Sequence, residues 1–151
     1  MSDTLFQAYD NTKLNLVPLI EGNSRKVYVL TGPQLGGVVI LGNDYLLSFN
    51  KKHELVSKQK LHQNIIPVSF AEKKEDEAAT LHSHLPSTGD YMTPTDICTL
   101  LLYANMSNWK QHYTMSENFM SVWEIDKAKL TMVSRKAWEK IMQQQDAAKK
   151  Q

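Results

Sequence analysis

Apolar and polar positions alternate through much of the first half of this chain, with short clusters of Gly, Asn and Pro between the alternating stretches. Leu5, Tyr9, Leu14 and Leu16 are spaced among polar residues, and this spacing predicts an N-terminal helix over Thr4 to Leu16, capped by Asp3 or Thr4. Pro18 and the cluster Glu21-Gly22-Asn23 predict a break after it. Lys26 to Thr31 (KVYVLT) is β-branched and aromatic and reads as a strand, as do Val38 to Leu41 and Tyr45 to Phe49. Gly42-Asn43-Asp44 and Asn50 to His53 read as tight turns. With the polar stretch Glu54 to Leu61 and Ile65 to Val68 extended, a meander of three or four antiparallel strands is the simplest account.

The run Glu72 to Glu77 (EKKEDE) reads as a solvated hairpin tip. Ala78 to His84 returns as a strand, with Thr80, His82 and His84 on one face and Ala79, Leu81 and Ser83 on the other. A loop from Leu85 to Met92 leads into Thr93-Pro94-Thr95-Asp96. That tetrapeptide places an N-cap, a proline at the first helical position and an acid at the third, a capping box with Asp in place of Glu. The helix it opens buries Ile97, Leu100, Leu101 and Ala104. A hairpin of Tyr113 to Met115 and Phe119 to Ile125 follows, then an edge strand at Leu130 to Val133. Ser134 caps a last helix containing Trp138 and Ile141.

The expected fold class is therefore α/β of the α+β type. A central, mixed or mostly antiparallel sheet would carry three helices: N-terminal, central after His-x-His, and C-terminal. Residues 1–142 would form a single domain, with 143–151 a polar tail. A chain of 151 residues buries roughly 70% of its unfolded surface and needs no covalent staple. Lys and Arg total 17 against 16 Asp and Glu, so the basic excess typical of nucleic-acid binders is missing. The single cysteine, Cys98, excludes an internal disulfide and a sulfur-rich zinc cluster. MSDTLFQAYDNTK has no basic segment followed by an apolar core, and no apolar run approaches the ~20 residues of a membrane span. These features predict a cytoplasmic protein that binds neither nucleic acid nor membrane; oligomeric state is not readable from them.

The concentrated chemistry lies in His82-Ser83-His84. On a strand, two imidazoles at this spacing share one face, roughly 7 Å apart at the backbone, and both can reach one ion. Asp96, at the start of the next helix, is the candidate third ligand. Two neutral imidazoles and a carboxylate leave a position open on zinc, the pattern of catalytic rather than structural sites, where a water is acidified to a pKa near ~7. His62 and His112 could point into the same cleft as a spare ligand or proton carrier, or could be ordinary hydrogen-bonded histidines. Trp109, Tyr113, Trp123 and Trp138 suit a core or a groove.

These segments resemble the JAMM metalloproteases, an MPN-type family whose pattern is a glutamate, His-x-His, a short loop and Ser-x-x-Asp. By that resemblance His82, His84 and Asp96 would be the zinc ligands. Thr93 would stand for the serine that helps stabilise an oxyanion, and Glu21 for the glutamate that handles protons. The loop here is one residue longer than the family's, and Thr replaces Ser. The resemblance implies a zinc-dependent hydrolase of a peptide, isopeptide or related amide bond, with an extended peptide or protein as substrate. A competing reading is a non-catalytic protein-interaction domain in which HSH and TPTD serve folding and capping alone.

Overall fold

Strand pairing dominates this chain. The structure is a computed structural model and describes residues 5–70 and 79–149. The candidate caps Asp3 and Thr4 and the charged run Glu72 to Glu77 lie outside the described residues. Among the described residues there are ten strands in three sheets and only two helices, which overturns the expected central sheet with three helices. The described chain divides into an N-terminal and a C-terminal compact unit.

The N-terminal unit holds β1 (Thr12–Glu21), β2 (Ser24–Pro33), β3 (Val38–Gly42), β4 (Tyr45–Phe49), β5 (Leu55–Lys60) and β6 (Ile65–Ser69). The predicted N-terminal helix is absent from the described residues. Leu14 and Leu16 instead belong to β1, which pairs antiparallel with β2 from Thr12↔Pro33 to Glu21↔Ser24. Pro18, expected to break the chain, sits inside β1 opposite Val27. A proline is tolerated there because β1 is the outermost strand of the sheet β1-β2-β4-β5. The meander is interrupted: β3 leaves this sheet and pairs with β6. Gly42 and Asn43 have φ of +81° and +49°, as the predicted turn requires. Fully buried Asn43 then accepts from the Tyr45 hydroxyl at 2.6 Å and donates to the Gln7 carbonyl at 2.9 Å, anchoring the turn in the core.

The C-terminal unit holds β7 (Ala79–Ser83), α1 (Pro94–Tyr103), β8 (Gln111–Met115), β9 (Phe119–Glu124), β10 (Lys129–Ser134) and α2 (Arg135–Ala148). Its sheet runs β10-β9-β8-β7, antiparallel except for β7, which is parallel to β8. Parallel neighbours need a crossover, and α1 lies within it. Register puts His112 opposite Trp123 and Thr114 opposite Ser121 on one face, and Tyr113 opposite Val122 on the other. Trp109 and Trp123 are core residues, whereas Tyr113 packs against Trp138 of α2 with ring centroids 5.7 Å apart. α1 buries Thr95, Asp96, Thr99 and Leu100, so its buried stripe is more polar than the predicted one, and Leu101 is exposed. α2 takes in most of the polar C-terminal residues. No described helix is long and apolar enough to cross a membrane.

Candidate metal centre

Strand alternation on β7 buries Thr80 partly and His82 fully, while Leu81 and Ser83 face outward. His84, one residue past the strand, stays on the His82 face because its N–H donates to the Met115 carbonyl at 2.8 Å and prolongs the ladder with β8. The following loop is held at its far end by buried Met92, whose N–H donates to Ser121 Oγ at 3.3 Å. Thr93 then caps α1: its hydroxyl accepts from the Asp96 N–H at 3.1 Å, and Asp96 Oδ2 accepts from the Thr93 N–H at 2.9 Å. The predicted capping box is therefore formed. It fixes the Asp96 carboxylate, 1% exposed, against the two imidazoles.

Three donors of the C-terminal unit meet here. His82 Nε2 lies 3.0 Å from His84 Nε2, His84 Nε2 lies 3.2 Å from Asp96 Oδ2, and His82 Nε2 lies 3.7 Å from Asp96 Oδ1. Two ring nitrogens this close repel through their lone pairs unless a proton or a cation lies between them. Tetrahedral zinc with bonds of ~2.0–2.2 Å separates its ligands by about 3.3–3.6 Å, and the three separations straddle that spacing. Two imidazoles and a carboxylate are also donors that zinc accepts. This buried group could hold a metal ion.

A chain of hydrogen bonds stands behind His82. Its Nδ1 is 2.7 Å from His112 Nε2, and His112 Nδ1 is 2.7 Å from Thr80 Oγ1. Burial, foremost, and the neighbouring His82 ring push the His112 pKa down to about 3, against a smaller upward pull from Asp96. His112 is thus a neutral ring. It meets His82 at Nδ1, the ring nitrogen other than the one that faces Asp96.

The other predicted residues fall as follows. The Thr93 hydroxyl lies against Asp96 Oδ2 at 2.8 Å and Thr95 Oγ1 at 2.9 Å. Glu21 is exposed at the end of β1, in the N-terminal unit, beside the hairpin turn rather than after a helix. His62 belongs to the same unit, with Nδ1 2.6 Å from Asp44 Oδ1. The sequence put Thr80 on the His82 face and allowed His112 near the cleft, but not the hydrogen bonds that run from Thr80 through His112 to His82. The alternation of Thr80, His82 and His84 was visible, but the parallel register Thr80↔His112 joins residues 32 apart and has no local signal.

The fold and the site together define a β-rich chain with a buried two-histidine, one-carboxylate group. No family model, curated protein or solved structure matches the chain.

Proposed function

We propose that the C-terminal unit binds zinc through His82, His84 and Asp96 and hydrolyses a peptide, isopeptide or related amide bond, with site chemistry like that of the JAMM metalloproteases. The observation that carries this reading is the set of separations among the three side chains, 3.0, 3.2 and 3.7 Å, in a buried group of the right donor types. Zinc bound there would supply Lewis acidity and a water acidified toward pKa ~7. The chain's own residues would divide the remaining work. Asp96 offsets the charge of the cation, and its cap holds the carboxylate still. Thr93, beside Asp96, is the hydroxyl that the resemblance assigns to an oxyanion. β7, the outermost strand of its sheet, offers an edge on which an extended peptide could add as a further strand.

One observation favours the non-catalytic reading: Asp96 closes the capping box whether or not it also holds metal. Turnover separates the two. Protein loaded with zinc is incubated with a panel of peptides and isopeptide-linked peptides, alongside chelator-treated protein and His84→Ala. Cleavage that chelation removes, zinc restores and His84→Ala lacks is the expected result. Zinc bound one to one with no cleavage of any panel member would leave a metal-binding domain and end the hydrolase reading.

A further inference from the structure

His82 presents its two ring nitrogens to different neighbours. Nε2 faces His84 and Asp96, and Nδ1 faces His112 Nε2 at 2.7 Å. A neutral imidazole carries one proton, so the nitrogen that holds it decides whether Nε2 has a lone pair to give. The chain Thr80–His112–His82 has two self-consistent polarities. In one, His82 Nδ1–H donates to His112 Nε2, and His112 Nδ1–H donates to Thr80 Oγ1, 2.7 Å away. Every acceptor is then filled and His82 Nε2 is free of a proton. In the other, the Thr80 hydroxyl donates to His112 Nδ1 and His112 Nε2–H donates to His82 Nδ1. His82 must then carry its proton on Nε2, where it cannot bind metal.

We propose that His112 is a positioning residue that, braced by Thr80, holds His82 as the Nδ1–H tautomer and so readies Nε2 to bind a cation. This rests on the metal reading above. Metal-bound histidines generally donate the second ring N–H to an acceptor that fixes the ring and raises its basicity. Here the acceptor is a second imidazole, aligned by the parallel β7–β8 register that sets Thr80 beside His112. Nothing else is required of His112: it contributes no ligand.

The two roles open to His112, filling space and accepting a hydrogen bond, are separated by a pair of variants. His112→Phe keeps the ring volume without an acceptor, whereas His112→Gln can place its amide oxygen near the Nε2 position. Zinc affinity is measured by competition with a chromophoric chelator, with circular dichroism confirming that each variant is folded. The expected result is a loss of about 10–100-fold for His112→Phe, with most of it recovered in His112→Gln. Nitrogen-15 imidazole spectra of the zinc-loaded wild type should show His82 protonated on Nδ1 and His112 on Nδ1. Unchanged affinity in His112→Phe, equal losses in both variants, or a proton on His112 Nε2 would each overturn the proposal while leaving the zinc site standing. Failure of the wild type to bind zinc would remove both.

Discussion

Asp96 answers two demands with one carboxylate. Oδ2 closes the cap with Thr93, and the same group lies 3.2 Å from His84 Nε2. Burying that charge is tolerable only because donors surround it. Asp96→Asn retains an oxygen for the cap and loses the charge. It should therefore lower folding stability of the metal-free protein by no more than ~1 kcal/mol. Zinc affinity should fall further than the ~10–100-fold that loss of an outer partner causes. Urea unfolding and zinc titration of the same sample read the two quantities; a stability loss with unchanged zinc affinity would assign Asp96 to capping alone. Thr93→Ala should cost both ~1 kcal/mol of stability and part of the zinc affinity, while Thr93→Ser preserves both, because only the hydroxyl is used. At this scale the sequence was informative. His-x-His and Thr-x-x-Asp carry short-range geometry, set by strand alternation and by the first turn of a helix, and both appear as the pattern predicts.

Elements position these residues, and here local pattern misled most clearly at β1. Leu14 and Leu16 alternate as a strand requires, but Leu5 and Tyr9 suggested a helical period and Pro18 suggested a stop. What makes β1 a strand is its ten-residue pairing with β2, a tertiary contact that overrides weak local preference. The paired strand leaves Leu16 and Ile20 about two-thirds exposed, at 65% and 68%, so it has no buried face for a pattern to reveal. α1 was legible because its cap is local, although its buried face includes Thr95, Asp96 and Thr99 rather than the leucines alone. Leu100, 1% exposed, is the apolar anchor of that face. Leu100→Ala should cost about 2–5 kcal/mol and also weaken zinc binding, since α1 carries Asp96. Equilibrium denaturation and the zinc titration together check it; a loss of stability with zinc affinity intact would show that Asp96 is held without α1 packing. In the N-terminal unit, a Cβ on Gly42 would clash with the Asn64 carbonyl oxygen, and φ there is +81°. Gly42→Ala should destabilise by more than ~1 kcal/mol through that contact and the backbone strain, measurable as a lowered denaturation midpoint.

Across the whole molecule, the site depends on what local pattern could not supply. The strands β7 and β8 are parallel and separated by the loop and α1, so their register, and with it the Thr80–His112–His82 chain, emerges only on folding. The short motifs His-x-His and Thr-x-x-Asp mark the three donors, yet the expected α/β frame around them gives way, among the described residues, to three sheets and two helices. A cation that ties β7 to α1 should slow amide hydrogen exchange in β7, α1 and β8 when zinc is added, because it links elements that otherwise open separately. Binding to the native state alone also stabilises it, by ~2.7 kcal/mol when free ligand is one hundred times Kd.

The most direct measurement is a zinc titration of protein purified without a nickel column and stripped by chelator, with stoichiometry and thermal unfolding followed in wild type and His84→Ala. The account predicts one zinc per chain, a rise in unfolding temperature of several degrees, and loss of both in His84→Ala. Wild-type protein that takes up less than one equivalent of zinc and unfolds at an unchanged temperature would contradict it.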